Sequence, residues 1–165
     1  MKPDLSGHDL LVAWLTLHNA LQRRADTFFQ SFGLTYAQFN ILNLVALSHG
    51  PMDQLALTER LLVGKSSVSI VLHRMVKASL IRREEHPRDR RRVVLILTRK
   101  GRELWGKVAP QYDRGVRDIF GALPRKRREA FLDDLEILYA ALKRSAGDQN
   151  SPTLRETLRL HAELG

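Results

Sequence analysis

One stretch in the middle of the chain constrains the possible folds most, because the spacing of its apolar residues changes abruptly after Ala78. From Lys65 to Ala78, apolar residues recur every three or four positions, which predicts a helix with a buried stripe of Val68, Val71, Leu72 and Met75. Two segments of extended character, at residues 80–83 with Leu80 and Ile81 and at residues 92–97 with a run of apolar residues, then flank a polar segment that contains Pro87. These segments predict the two strands of a β-hairpin.

The other face of this helix has groups that suit a nucleic acid. It combines hydroxyls, an imidazole, cations and one isoleucine without a carboxylate, at Ser66, Ser69, Ile70, His73, Arg74 and Lys77, with Lys65 and Ser67 at its start. Such groups contact base edges and phosphates in a duplex groove. We therefore interpret the segment as a DNA-recognition helix, although a solvated helix face would have a similar composition.

The tip of the predicted hairpin is strongly basic. Arg88, Arg90, Arg91 and Arg92 crowd one short loop, where like charges repel one another unless an anionic partner is bound. Asp89 could pair with one of these guanidinium groups in a bidentate fork and so pre-position it. We expect DNA contacts from Arg88, Asp89, Arg90 and Arg91, and a solvated basic hairpin is the alternative.

The composition of the whole chain narrows the possible function classes. Its 165 residues include 27 Lys and Arg against 18 Asp and Glu, a formal charge of +9 that favours polyanionic partners. The absence of cysteine excludes disulfides, thiolate metal sites and thiol redox switches. The six histidines lack metal-binding spacing, and no catalytic or cofactor-binding motif occurs. We therefore expect a protein that is not an enzyme and that binds no metal or cofactor.

The chain shows no targeting or membrane-spanning pattern. No apolar run approaches the roughly 20 residues that are needed to cross a bilayer. The N-terminal segment also lacks the charged start and apolar core of a signal peptide. We expect a cytoplasmic protein that does not associate with a membrane.

Three helices are predicted before the recognition helix. The first spans residues 9–32, is apolar over a wide face, and ends at Gly33. Thr35 and Gln38 fit a capping box that begins the second helix. Asp53 fits the N-cap of a short third helix, and a turn that contains glycine joins this helix to the recognition helix. Two helices joined in this way form a helix-turn-helix.

Further helices are predicted after the hairpin. Thr98 fits the N-cap of a fifth helix, and Pro124 fits the first position of a sixth. Residues 147–152 have the composition of a linker, and residues 153–164 form a last amphipathic segment. That segment is too short to be a stable helix unless it docks on the rest of the protein.

The order of these elements, and one pattern in the hairpin, resemble the MarR family of winged helix-turn-helix transcription regulators. The pattern D-x-R…L-T-x-x-G is matched by Asp89, Arg90, Arg91, Leu97, Thr98 and Gly101. The resemblance implies a mainly α-helical fold with a small β-hairpin wing. It assigns residues 35–99 to a winged helix-turn-helix DNA-binding domain, and residues 9–32 and 100–164 to a helical dimerisation region. It also implies an obligate homodimer on a pseudo-palindromic operator, with recognition helices in the major grooves and Arg91 in the minor groove.

Three residues depart from the family pattern. Ser79 stands where a glycine commonly ends the recognition helix, which predicts a strained φ or a shifted helix end. Ile70 stands where an arginine is common, and His73 where an acidic residue is common. These two changes affect the expected operator sequence rather than the fold. An exposed isoleucine can be covered by a thymine methyl group, so we expect Ile70 to contact thymine.

The resemblance further implies a crevice for a small aromatic or phenolic effector between the dimerisation helices and the helix-turn-helix. The candidate lining residues come from the first, second and fifth helices: Trp14, His18, Tyr36, Phe39, Trp105 and Tyr112. Core packing would explain each of these residues equally well.

Three functions remain open at this point. The first is a dimeric repressor that a small ligand releases from operator DNA, and the second is a DNA-binding regulator that responds to no ligand. The third is a winged-helix module that binds protein or RNA with its basic face. The predicted binding face has no aromatic residue for stacking on bases, which favours duplex DNA over single-stranded RNA.

Overall fold

The computed structural model describes residues 4–48, 50–61, 68–86, 89–148 and 150–162, and its helices and strands lie within these ranges. In chain order these elements are α1 (Gly7–Gln30), α2 (Tyr36–Leu47), β1 (Met52–Asp53), α3 (Gln54–Arg60), α4 (Val68–Lys77), β2 (Ile81–His86), β3 (Asp89–Leu97), α5 (Arg99–Phe120), α6 (Arg125–Ser145) and α7 (Leu154–Ala162). The prediction of a mainly α-helical fold with a small β wing is confirmed.

Side-chain caps explain where the first two helices begin. The Thr35 hydroxyl accepts a hydrogen bond from the Gln38 N–H, and the Gln38 side chain accepts one from the Thr35 N–H, so the predicted capping box is confirmed. A second box, between Ser6 and Asp9, begins α1 two residues before the predicted start. Gly33 follows α1 with a φ of 68°, a left-handed conformation that glycine adopts without strain.

The wing is a three-stranded antiparallel sheet with the strand order β1, β3, β2. The sequence predicted only the hairpin of β2 and β3, because β1 is two residues long and is defined by its pairing of Met52 with Leu95 and of Asp53 with Val94. The hairpin strands also extend further toward the tip than their apolar runs predicted. Backbone pairing on an exposed wing requires no apolar side chains, so the polar residues there join the strands. Residues 87–88 lie outside the described residues.

The hydrophobic core surrounds α2, which contacts α1, α3, α4, α5 and β3. This helix buries five apolar side chains: Phe39, Ile41, Leu42, Leu44 and Val45. The ring of Phe39 lies 4.8 Å from that of Phe29 in α1 and 4.9 Å from that of Tyr112 in α5, measured between centroids. These aromatic contacts join α1, α2 and α5 at one end of the core.

The last two helices lie outside this core. No described residue of α6 is buried, and three of its large apolar residues are mostly exposed: Ile137, Leu138 and Leu142. The final segment docks on α6, where Arg155 forms ion pairs with Glu129 at 2.9 Å and Asp133 at 2.6 Å. Because α7 also contacts α3, it connects α6 to the helix-turn-helix.

Candidate nucleic-acid interface

The recognition helix α4 has the rotational phase that the sequence predicted. Val68, Leu72 and Met75 are buried in the core. The opposite face is exposed to solvent and consists of Ser69, Ile70, His73, Arg74 and Lys77. Ile70 has no cover within the protein, since 58% of its surface is accessible. The remaining predicted contacts of this segment, Lys65, Ser66 and Ser67, lie outside the described residues.

The end of α4 is fixed to the start of α5. Ser79 adopts a φ of 57°, which confirms the strained conformation expected at this position. Its carbonyl oxygen accepts a hydrogen bond from the Thr98 hydroxyl at 2.6 Å, and the Ala78 carbonyl accepts one from Lys100 Nζ at 2.9 Å. These bonds satisfy carbonyl groups that a helix end leaves without partners. The recognition helix is therefore held by α5 as well as by the core.

The glycine of the L-T-x-x-G pattern is required by a close backbone approach at this same junction. The Thr98 hydroxyl accepts a hydrogen bond from the Gly101 N–H and thereby caps α5. A Cβ atom at Gly101 would lie 2.0 Å from the carbonyl oxygen of Leu80. Only a residue without a side chain allows α5 to begin this close to the end of α4.

The wing cations are arranged differently from the predicted fork. Asp89 Oδ1 accepts a hydrogen bond from the backbone N–H of Arg91 at 3.0 Å, and among the described arginines it pairs with no side chain. This geometry is the usual local choice of an aspartate in a turn, whose carboxylate reaches the N–H two residues ahead. Arg90 Nε lies 3.9 Å from a carboxylate oxygen of Glu85, and both side chains are largely exposed. The Arg91 side chain has no ion-pair partner within the described ranges, and Arg88 lies outside them.

Arg92 is directed toward the protein instead. Its Nε donates a hydrogen bond to Asp53 Oδ2 at 2.9 Å. The other oxygen of Asp53 accepts hydrogen bonds from the N–H groups of Leu55 and Ala56, which confirms Asp53 as the N-cap of α3. Burial by itself raises the pKa of Asp53. Arg92 and the two amides lower the pKa by a larger amount, so it lies below its usual value. Sequence reasoning missed this pair because the two residues are brought together only by the pairing of β1 with β3.

The exposed face of α4 and the basic wing are neighbours in the fold, because α4 packs on β2. Together they present hydroxyl, imidazole, guanidinium and ammonium groups on adjacent elements. A helix with this composition suits base edges and phosphates in a groove, and the Arg91 guanidinium on the wing suits a second phosphate or minor-groove contact.

The six predicted effector-pocket residues are not brought together. Tyr36 and Tyr112 line a cavity of about 810 Å³ between α1, the start of α2 and α5. Trp105 lines a separate cavity of about 340 Å³ near β3, and its indole N–H donates to Asn43 Oδ1 at 3.0 Å. Phe39 is buried in the core, and the exposed residues Trp14 and His18 line neither cavity. Aromatic residues at helical spacing reveal a packed face, but they do not reveal which neighbouring helix leaves a gap.

The larger cavity has a cationic rim that the sequence did not predict. Three arginines contribute to its lining: Arg23, Arg24 and Arg114. Burial raises the pKa of the Tyr112 hydroxyl, and the neighbouring Tyr36 and Asp113 raise it further. Tyr112 therefore presents a neutral phenol to this cavity at neutral pH. Asp118 also lines the cavity, so the three arginines and one carboxylate leave its lining with a net positive charge, which suits an anionic group.

Membrane-spanning helices and metal sites are both missing from the described part of the chain. None of its helices is long and apolar enough to cross a membrane. Within the same residues, no cluster of three or more His, Asp or Glu side chains has an arrangement that could hold a metal ion.

Comparison with known proteins gives a consistent set of similarities. Residues 32–92, which contain α2, β1, α3, α4 and β2, match the sequence model of the MarR family. The transcriptional regulator HosA of Escherichia coli O111:H- is 30% identical over 99 residues, which are 60% of this chain and 73% of HosA.

Solved structures show the same likeness. AbsC, a MarR family transcriptional regulator from Streptomyces coelicolor, is 28% identical with a TM-score of 0.74, covering 86% of this chain and 99% of AbsC. Sco3205, a MarR family regulator from the same organism crystallised in complex with DNA, has a TM-score of 0.72 over 84% of this chain and 94% of its own. At 24% identity, the likeness to Sco3205 is one of fold.

Proposed function

This chain belongs to the MarR family of DNA-binding transcription regulators, and we propose that it acts as a homodimeric repressor that a small aromatic or phenolic ligand releases from its operator. The observation that carries DNA binding is the exposed face of α4 together with Arg91, a wing arginine with no ion-pair partner among the described residues. The dimer and the ligand rest on other observations.

In the proposed complex, α4 enters the major groove and the wing follows the adjacent minor groove. Ser69, Ile70 and His73 face base edges, while Arg74 and Lys77 contact phosphates. Arg91 reaches into the minor groove, where a narrow A·T tract attracts a guanidinium. Further contacts are proposed from the sequence for Lys65, Ser66, Ser67, Arg88, Asp89 and Arg90.

Exposed apolar surface on α1 and α6 supports the homodimer. About half of the surface of each large apolar residue in the first half of α1 is accessible: Leu10, Leu11, Val12, Trp14, Leu15 and Leu17. Three apolar residues of α6 are exposed to a greater degree: Ile137, Leu138 and Leu142. Contiguous apolar surface of this extent indicates an interface, and a second copy of the chain is the partner that would bury both helices. We therefore propose that residues 9–32 and 100–164 form the dimerisation region and residues 35–99 the DNA-binding domain.

The cavity between α1, α2 and α5 supports the ligand. Its volume of about 810 Å³ accommodates a small aromatic molecule, and Tyr36, Phe28 and Tyr112 contribute aromatic walls. The arginines at its rim favour a carboxylate or phenolate on that molecule. The cavity lies between α1 and the start of α2. A ligand that pushes these two helices apart would therefore shift the helix-turn-helix and weaken operator binding.

A gel-shift assay tests this proposal directly. The full chain is titrated onto the duplex upstream of its own gene, and then onto the same duplex with benzoates, salicylates and other aromatic acids added one at a time. We expect a specific complex that one class of aromatic acid dissociates. A specific complex that no acid affects would indicate a ligand-independent regulator.

The third candidate function, a winged-helix module that binds protein or RNA with its basic face, is tested by adding competitor nucleic acids to the same assay. A specific complex must survive an excess of scrambled duplex and of single-stranded RNA. If RNA displaces the DNA as readily as the specific duplex does, the basic face is a general polyanion surface and the proposed function is wrong.

A further inference from the structure

Asp53 holds two parts of the DNA-binding domain at once. One carboxylate oxygen accepts hydrogen bonds from the first N–H groups of α3, at 2.9 Å from Leu55 and 3.2 Å from Ala56. The other accepts a hydrogen bond from Arg92 Nε at 2.9 Å. The Asp53 side chain is only 13% exposed, so this carboxylate is much less screened by water than those at the wing tip. The pair therefore joins the first helix of the helix-turn-helix to the wing strand β3.

The strand register explains how this pair acts on the wing. Asp53 in β1 lies opposite Val94 in β3, and Arg92 is two residues further toward the tip. Residues at this diagonal position share one face of a sheet and lie within reach of each other. The hairpin register shifts between Glu85, which pairs with Val93, and His86, which pairs with Asp89, so residues 90–92 form an irregular stretch of β3 that contains both Arg91 and Arg92. The β2 register does not fix this stretch, and Arg91 directly precedes Arg92 in it, so the restraint of Arg92 by Asp53 limits the conformations in which Arg91 is presented.

We propose that Asp53 and Arg92 are positioning residues for operator binding. Their ion pair sets the angle of the wing relative to the helix-turn-helix, so that Arg91 meets the minor groove when α4 lies in the major groove. This inference rests on the proposed DNA-binding function. Arg92 is neutralised by Asp53 and contributes no phosphate contact of its own, whereas Arg91 is free to contact the DNA.

Two variants remove the pair while leaving the fold intact. Asp53→Asn retains an oxygen that caps α3, because Asn is as good an N-cap as Asp, but it loses the charge that binds Arg92. Arg92→Gln removes the other partner. Glu84→Gln is the matched control, since it removes one carboxylate from the same sheet, where Glu84 pairs with Arg82 rather than with Asp53 or Arg92. Thermal melting of all three variants checks that the domain remains folded.

The probe is the duplex that the wild-type chain enriches from a random duplex library. Hydroxyl-radical footprints of the wild type and of Arg91→Ala first identify the positions that the wing protects. A·T pairs at those positions are then replaced by G·C pairs, and binding is measured by fluorescence anisotropy. We expect the wild type to lose about tenfold in affinity, because the guanidinium prefers a narrow A·T minor groove.

The positioning variants should lose this discrimination selectively. We expect Asp53→Asn and Arg92→Gln to lower the tenfold preference to about twofold, while preferences at the positions read by α4 stay as in the wild type. The double variant should resemble either single variant, because both substitutions remove one interaction. Glu84→Gln should retain the full preference.

Salt dependence separates positioning from direct contact. Loss of a phosphate contact lowers the slope of log K against log salt by about 1. We expect this reduction for Arg91→Ala and an unchanged slope for Arg92→Gln. A lowered slope for Arg92→Gln would make Arg92 a direct contact and would overturn the positioning role.

Other results would contradict the inference in distinct ways. An undiminished preference at the wing positions in both variants would show that the pair does not position Arg91. Equal losses at all operator positions, or losses that follow a lowered melting temperature, would assign the pair to folding alone. Failure of the wild type to enrich any duplex would overturn the proposed function itself, and this inference with it.

Discussion

Ser79 occupies a position where the MarR family commonly has glycine, and it adopts the left-handed backbone conformation that favours glycine. It is the one non-glycine residue with a positive φ in the part of the chain that the structure describes, and it lies two residues after the end of the recognition helix. A left-handed conformation costs a residue with a Cβ roughly 1–2 kcal/mol, a cost that glycine avoids. The hydrogen bonds of the junction with α5 hold Ser79 in this conformation despite that cost.

Ser79→Gly should therefore stabilise the protein. We expect the free energy of unfolding to rise by about 0.5–1 kcal/mol, because relief of the left-handed strain exceeds the extra backbone entropy that glycine loses on folding. Ser79→Ala is the control, since alanine keeps the Cβ and should give no gain. Denaturant unfolding of the three proteins measures the difference, and a glycine variant no more stable than the alanine variant would refute the strain.

Gly101→Ala should have the opposite effect. Its Cβ would lie 2.0 Å from the backbone oxygen of Leu80, so α5 and the end of α4 would have to separate. We expect a loss of about 2 kcal/mol or more in the free energy of unfolding, as is typical of overpacking against backbone. Gly106→Ala on the same helix is the control, because nothing lies within 4 Å of its Cβ position. That variant should gain about 0.5–1 kcal/mol from helix propensity, and equal effects of the two substitutions would contradict the close approach.

Single residues were predictable from the sequence where their partners are local. The Thr35 box, the Asp53 and Thr98 caps and the conformation of Gly33 all depend on neighbours within a few residues. The partner of Arg92 was not predictable, because Asp53 lies 39 residues away and meets it only through the sheet. Asp89 is a different case, because its observed partner is local: its carboxylate accepts from the Arg91 backbone N–H instead of forming the predicted fork, and composition does not decide between two local partners.

At the scale of whole elements, periodicity was a good guide to helices and a poor guide to short strands. All predicted helices are present, since each has a cap or a long apolar stripe. The strand β1 has neither signal, because two residues cannot show an alternation. The six predicted effector residues are divided between cavities, core and surface for a related reason. A stripe such as that of Trp105 and Tyr112 identifies one packed side of α5, but cavities depend on the crossing of several helices.

The rotational phase of α4 has a consequence for operator sequence. Ile70 projects from the exposed face, where only a thymine methyl group offers an apolar contact in the major groove. We expect Ile70→Ala to cost on the order of 1 kcal/mol at one operator position and little elsewhere. Lys77→Ala is the contrast, because a phosphate contact should weaken binding to all sequences alike. Base-by-base substitution of the operator measures both, and a uniform loss for Ile70→Ala would exclude the thymine contact.

At the scale of the molecule, the terminal helices link the proposed dimer interface to the helix-turn-helix by a path outside the hydrophobic core. The exposed faces of α1 and α6 lie at the proposed dimer interface, whereas α7 contacts both α6 and α3. A shift of α6 in the dimer would therefore reach the helix-turn-helix through α7, in addition to the route through α5. The sequence predicted that the last segment needs to dock, but its contact with α3 depends on how α5 and α6 are oriented.

The exposed apolar stripe of α6 is the surface through which we expect two copies of the chain to dimerise. Leu138 is 59% exposed in the protomer and sits between Ile137 and Leu142, which are exposed to a similar degree. If a second copy covers this stripe, Leu138→Glu would bury an unpaired carboxylate in the interface, which costs several kcal/mol. We expect the variant to be monomeric at micromolar concentration in sedimentation analysis. Its affinity for a palindromic operator should fall by at least about a hundredfold, because each protomer then binds a half-site alone.

The control for this experiment is Leu55→Glu, which places the same charge on α3 at a residue that is 69% exposed. Since α3 lies outside the proposed interface, this variant should remain a dimer. Dimers of both variants would show that the α6 stripe is not the interface, whereas monomers of both would indicate a general effect of the added charge. A monomeric Leu138→Glu variant with wild-type operator affinity would separate DNA binding from dimerisation and would contradict the two-half-site geometry.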